Sequence, residues 1–458
     1  MLAYFRRHNQ DLTTGPIIPK VISLGFPLTI VAVLNSTLNL VDMFWVGRLG
    51  SASIAAVAIS GTIIMVLFAI LVGLSRGTTT LVSQYLGAKD FKNADSCASQ
   101  SLSFGLFVVI LIIFLCTPFT KKIFILLGAN QEVIEAGVGY LRIMLVGGVG
   151  MVLFHFGNAI LQAEANIITS MKLMVLSNLI NFILDPLFIF GWGFIPALKT
   201  KGAALATVLS QLVPAFLILF LLSTRRSTVH IHISQFRIKK NFLKEMFKIS
   251  IPASLQMLFR SIMGVVLVGV VASFGTFATA AYGIMLRLHM MVLMPTFSFG
   301  TAAGILVGHN LGAEKFKRAR NSAWSAVSLD TLIMISVGIL FFIFSNQIVK
   351  IFDKNPEVVF LGSRFLKITS PSYIFIGLGV ILGQALAGAG DTFVPMLITL
   401  FSLWLFQIPL AIFLSKSTSL KVLGVAWSNT LTSFLHGILI MIWFQIGRWQ
   451  RKRLPEVI

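Results

Sequence analysis

Apolar runs of about 20 residues recur along the whole chain, broken by short polar or basic segments. A run of that length crosses the hydrocarbon core of a bilayer as a helix. Strands of a membrane barrel would alternate polar and apolar residues, and these runs do not. Twelve spans are predicted, near residues 21–46, 53–76, 95–118, 133–156, 168–191, 203–223, 246–271, 279–303, 320–346, 358–383, 393–415 and 422–447. Two carboxylates interrupt the pattern, Asp42 in NSTLNLVDMFWVG and Asp185 in SNLINFILDPLFIFG. An ionisable group at bilayer depth is costly and marks a candidate functional site.

The pattern repeats. Pro27 in LGFPLTI matches Pro252 in ISIPASL, Gly50 matches Gly275, Gly87 and Phe91 in SQYLGAKDFKNA match Gly312 and Phe316 in GHNLGAEKFKRA, and Leu161 matches Leu386, always by 225 residues. Constant spacing implies two homologous halves of six spans. Six is even, so both halves enter the membrane in the same orientation and relate by an axis along its normal. The predicted fold is an all-α polytopic membrane protein, with twelve transmembrane helices in two six-helix lobes under pseudo-twofold symmetry. The lobes cover residues 1–223 and 246–458, joined by a cytoplasmic linker over 224–245.

Composition agrees. The chain has 458 residues, 57% hydrophobic and 11% charged, against about 25% charged in a soluble domain. The formal charge of +21 would suggest nucleic acid in a soluble protein, but here the cations gather at one set of loops. That side holds Arg6, Arg7, Lys89, Lys92, Lys315, Lys317, Arg318, Arg320, Arg448, Arg451, Lys452, Arg453 and the long loop from Arg225. The positive-inside rule then puts both termini and the linker in the cytoplasm, without a nucleic-acid partner. The start of the chain is basic and lacks a cleavable signal pattern, so the first span is expected to stay in the membrane. Cys97 and Cys116 lie about five turns apart on one predicted helix and cannot pair.

Asp42 lies 42−21=21 residues into span one and Asp185 lies 185−168=17 into span five. Both spans run outward, placing the acids about 32 and 26 Å from the inner surface. Asn181 is four residues before Asp185, on the same helix face. A close pair of carboxylates can share a proton, or bind a hard monovalent cation when ionised. The alternative is a satisfied acid at the interface, with Arg48 as the partner of Asp42. Arg260 and Arg287 lie within spans seven and eight, and Asp330 in span nine is a candidate partner for either. Glu164 and Asp391 read as loop and helix-cap residues. No metal spacing, nucleophile elbow or other catalytic motif appears, so an enzyme is not expected and no metal cofactor is implied.

Twelve spans in two halves, the paired xxxLGAxxF segments and the stretch NFILDPLFIFG…KGAALATVLS closely resemble the multidrug and toxic compound extrusion (MATE) family over essentially the whole chain. The resemblance implies a plasma (inner) membrane transporter, monomeric, that exports cationic or amphipathic compounds in exchange for protons or sodium by alternating access. Asp42 with Asp185 is similar to the DinF-like branch. There the coupling cluster corresponds to Asp42, Asn181, Asp185 and Thr207, and cavity positions to Met65, Tyr140, His155, Asn158 and Met174. Pro27 matches a proline tied to bending of the first helix. The NorM-like branch carries carboxylates where this chain has Arg260 and Ile376, so coupling is expected to rest on the N-terminal half. A lipid-linked flippase of the wider superfamily is the alternative function.

Overall fold

The computed structural model describes residues 11–193, 195–224, 227–232, 236 and 239–451, without the side chains of residues 38–40. Arg6, Arg7, Arg225, Lys452 and Arg453 of the basic loops lie outside the described residues. Twelve helices there are long and apolar enough to cross a membrane. They are α1 Ile17–Gly47, α2 Ser51–Gly87, α3 Phe91–Leu126, α4 Gln131–Ala163, α5 Ile167–Phe190, α6 Thr200–Ser223, α7 Lys240–Ala272, α8 Thr276–Gly312, α9 Phe316–Ile343, α10 Pro356–Gly388, α11 Phe393–Lys416 and α12 Leu423–Ile446. Among the described residues the only extended pairing is an isolated bridge between Trp192 and Ile195. Large apolar side chains such as Phe107, Phe114, Val265 and Leu405 are exposed, as lipid contact requires and water would penalise.

Every predicted span is present. Among the helices that run past their predicted C-terminal ends are α2, α4, α8 and α10, by 388−383=5 residues in α10 to 87−76=11 in α2. Hydropathy ends where lipid ends, but a hydrogen-bonded helix continues until its backbone is turned. The turns are made by residues in the left-handed region, Lys89 (φ 60°), Ala165 (φ 63°), Glu314 (φ 57°) and Gly390 (φ 77°). After each, the next amide closes back five residues: Asp90 to Tyr85 (2.9 Å), Asn166 to Leu161 (2.8 Å), Lys315 to Asn310 (2.7 Å) and Asp391 to Leu386 (2.8 Å). This closure satisfies carbonyls that the helix end would leave bare. Lys89 and Glu314 are 225 apart, as are Ala165 and Gly390, so the repeat is one of backbone geometry. Caps repeat too: the Asn130 side chain accepts from Val133 N (3.0 Å) and that of Asn355 from Glu357 N (2.9 Å). Both ends of α2 and α8, and of α4 and α10, differ by 225.

The chain forms two compact units. One holds Ile30–Ser250; the other holds Leu12–Thr29 with residues 251–451. Helix α1 therefore begins in the second unit and continues in the first, while α7 begins in the first and continues in the second. In the first unit, Phe124, Leu141 and Leu145 pack on Ala56. In the second, Tyr282, Met285, Phe365 and Tyr373 form the centre of a larger core.

The linker is tied into the first unit. Glu164 Oε2 accepts from Ser227 Oγ (2.6 Å), Thr228 N (2.9 Å) and Val229 N (3.2 Å). Asp95 Oδ1 accepts from His230 N (2.7 Å) and Gln100 Oε1 from Lys239 N (2.9 Å). Glu164 is thus a buried anchor for the linker. Burial pushes its carboxyl up from the usual range, and these hydrogen bonds pull the other way. Asp391 accepts from the Trp443 indole at 2.8 Å.

Candidate functional site

Asp42 is five residues before the last residue of α1, and Asp185 five before the last residue of α5 (47−42 and 190−185). Their carboxyl groups meet within hydrogen-bonding range. Two turns earlier on both helices, Asn178 Nδ2 donates to Asn35 Oδ1 at 2.6 Å. Each asparagine precedes its aspartate by seven residues (42−35 and 185−178), so α1 and α5 run parallel and in register along this face. Sequence reasoning missed Asn35 and Asn178; the matched seven-residue spacing was the available signal.

The site is acidic, with Asp42 half-buried. Asp185 is 1% exposed and Asn181 8%. Asn181 Nδ2 donates to Asp185 Oδ1 at 3.3 Å. Asp42 Oδ1 and Asp185 Oδ2 are buried with no protein donor. Two buried acceptors facing each other without a donor are costly, and one shared proton satisfies both. Arg48 does not neutralise them: its guanidinium lies over the rings of Phe44 and Trp45, 4.6 and 5.1 Å from their centroids. The pairing of Asp42 with Arg48 is therefore not made, because cation–π contact holds the arginine beyond the helix end. Pro186 follows Asp185 within α5. It has no N–H, so the carbonyl four residues back, at Phe182, loses its helical donor and adds an acceptor beside Asn181 and Asp185.

Tyr140 comes to this cluster from α4. It packs with Val46, Ile189 and Ala203 and lies close enough to feel the charge of both acids. Thr207 lies one turn beyond Ala203 on α6, but its hydroxyl donates to the Ala203 carbonyl (3.0 Å) rather than to a carboxylate. Among the described residues no group of three or more His, Cys, Asp or Glu could hold a metal ion.

The remaining cavity candidates scatter. Met65 is exposed. His155 packs edge-on against Phe68 (5.1 Å) and Phe154 (5.6 Å). Asn158 is buried, donating to Phe154 O (2.9 Å) and accepting from Ser170 Oγ (2.7 Å), which ties α4 to α5. Met174 is half-buried on α5. A small apolar pocket in this unit is lined by Ile64, Leu71, Val109, Met144, Gly148 and Met151, among others, and none of those candidates lines it. In the second unit Asp330 accepts from Thr296 Oγ1 (3.0 Å) and pairs with neither Arg260 nor Arg287. Arg260 of α7 instead approaches His436 Nε2 of α12 (3.4 Å).

A family model described as MatE matches residues 27–187 and 252–413, one copy in each half of the chain. The probable multidrug resistance protein YoeA of Bacillus subtilis is 29% identical over 441 residues, covering 94% of both chains. The multidrug export protein MepA of Staphylococcus aureus is 28% identical over 385 residues, covering 82% of this chain and 83% of its own. A solved structure described as the outward-facing conformation of a multidrug resistance MATE family transporter of the MOP superfamily superposes with a TM-score of 0.89 at 26% identity, covering 97% of this chain and 99% of that one.

Proposed function

The chain belongs to the MatE family of membrane transporters, and from that premise we propose that it is a secondary antiporter of the DinF-like branch. It exports drug-like cationic or amphipathic compounds in exchange for protons, with Asp42 and Asp185 as the coupling pair. The names of its relatives support the substrate class. The single observation that carries the coupling is the pair of carboxyls, each with one buried oxygen that has no protein donor, and with no ion pair to a cation among the described residues. With one proton between them the pair is a singly charged, mutually hydrogen-bonded unit. Without it, two anions and Asn181 form a site for a cationic substrate. A ligand drives a conformational transition only by binding two states differently, and proton and cation compete for the same oxygens. Tyr140 closes one side of the pair, and Asn35–Asn178 hold α1 and α5 in register beneath it. The basic loops orient both termini and the linker to the cytoplasm.

The test is transport of ethidium by the full chain in liposomes under an imposed pH gradient or an imposed sodium gradient, applied separately. A pH gradient alone is expected to drive uptake. Transport driven only by sodium would transfer the coupling role to Na⁺ at the same oxygens, Asp42, Asn181, Asp185 and Thr207. Transport indifferent to both gradients sinks the antiport reading and favours a flippase.

Pro27 is proposed as a hinge. Helix α1 passes from one compact unit to the other between Thr29 and Ile30, two residues after this proline. Proline removes a backbone hydrogen bond and makes a weak point in a helix, and Asp42 lies 15 residues further along. Pro252 stands similarly, two residues after α7 changes units at Ser250, but no acid follows it on that helix. Pro27→Ala is expected to slow ethidium turnover more than it weakens ethidium binding, and Pro252→Ala to do less. Equal, mild effects of both in the same vesicle assay mean that the prolines serve packing only.

A further inference from the structure

The second unit holds a buried acid of its own. Asp330, midway along α9, is 1% exposed. One oxygen, Oδ1, accepts from Thr296 Oγ1 of α8 at 3.0 Å. The other, Oδ2, is buried without a partner and points at α10, where Gly377 leaves it room: a Cβ there would overlap Oδ2. Among the described residues no cation lies within ion-pair distance, and Arg287, Arg364 and Lys367 of the flanking helices make no ion pair with it. The titratable groups nearest it along those helices are His289 on α8 and Tyr373 on α10, whose rings lie 5.7 Å apart. His289 Nδ1 and Tyr373 Oη are also buried and unpartnered. Tyr373 is one turn from Gly377 and His289 two turns from Thr296, both toward the start of their helices.

The repeat shows that the fold does not require these polar groups. Subtracting 225 from His289, Thr296, Asp330, Met334, Tyr373 and Gly377 gives Ile64, Leu71, Gly105, Val109, Gly148 and Val152. The first unit builds the corresponding three-helix junction from apolar residues, and four of the six line its small apolar pocket. Even the glycine has changed sides: Gly105 faces Val152, where a Cβ would come within 2.9 Å of the valine, whereas Asp330 faces Gly377. Conversely, Asp42 and Asp185 correspond to Leu267 and Leu410. Each unit thus places a buried acid where the other has none.

We propose that the second unit carries a separate proton-binding site, in which Asp330 Oδ2 takes and releases one proton while Thr296 holds Oδ1. On release the O–H bond of the neutral carboxyl breaks, the proton passes to water, and the carboxylate keeps the hydroxyl donor of Thr296. Tyr373 and His289, with unfilled polar atoms, mark the side from which water reaches it. A hard cation is the poorer fit, because a carboxyl and one hydroxyl supply too few oxygens. This site is additional to the Asp42–Asp185 pair and does not depend on that pair being the coupling site.

Infrared difference spectroscopy of the full chain in liposomes, titrated with pH, reads the neutral-carboxyl band directly. In an Asp42→Asn, Asp185→Asn background a pH-dependent band is expected to remain, and adding Asp330→Asn is expected to remove it. Thr296→Val, which deletes only the hydroxyl, should keep that band and move its midpoint. A band assigned to Asp330 that does not change with pH, or no loss of band with Asp330→Asn, overturns the proposal. Should Asp330→Asn fold poorly, Thr296→Val decides: an unmoved midpoint is equally fatal. Failure of the coupling reading shows elsewhere, as ethidium transport that survives Asp42→Asn.

Discussion

Asp42→Asn reduces ethidium transport under a pH gradient to the background of empty liposomes, while the protein remains folded. Asparagine has almost the shape of aspartate, and its amide donates to Asp185, so the facing pair loses no contact. It cannot carry a proton or a charge. The group whose state must differ between proton-loaded and substrate-loaded forms is gone, and with it the differential affinity that drives the cycle. Asp185→Asn has the same outcome for the same reason. Arg260→Ala retains most transport, because Arg260 and His436, which it approaches, both belong to the second unit. The comparison uses equal amounts of monodisperse protein. Normal pH-driven transport by Asp42→Asn defeats the buried-acid mechanism.

Much of this was legible before the structure. The spans follow from hydropathy, because a bilayer demands an apolar helix surface at fixed length. The repeat follows from spacing, because Lys89 and Glu314, or Asn130 and Asn355, do the same backbone work 225 residues apart. The parallel course of α1 and α5 was legible because both are odd-numbered spans. What the sequence hid is the direction of side chains. Arg48 is close to Asp42 in sequence, yet it turns onto Phe44 and Trp45. Asn158 belongs to a hydrogen-bonded tie between helices, and Thr207 spends its hydroxyl proton on its own helix. Such choices depend on neighbours distant in sequence, as does the bond between Asn35 and Asn178, residues 143 apart. Helix ends were misjudged because no hydropathy scale senses a left-handed residue.

Gly388→Val prevents the second unit from assembling, whereas Gly383→Val, five residues earlier on the same helix, is tolerated. The two glycines look alike in sequence and meet different surroundings. A Cβ at Gly383 has nothing within 4 Å, while one at Gly388 would come within 2.7 Å of both the Cα and the carbonyl carbon of Gly304 on α8. Backbone cannot rotate away as a side chain can, so α8 and α10 must separate where they touch most closely. Overpacking of this kind costs about 3 kcal/mol or more, and helix association in a membrane rests heavily on such close backbone approach. The corresponding positions of the first unit are Thr79 and Ala163, so the glycine pair is particular to the second. Melting temperature and monodisperse yield in detergent measure the difference. Equal behaviour of the two valine variants would mean that the α8–α10 contact yields freely. In that case the neighbouring Thr296–Asp330–Gly377 junction, built on the same two helices, would not be held tightly enough to keep Asp330 dry.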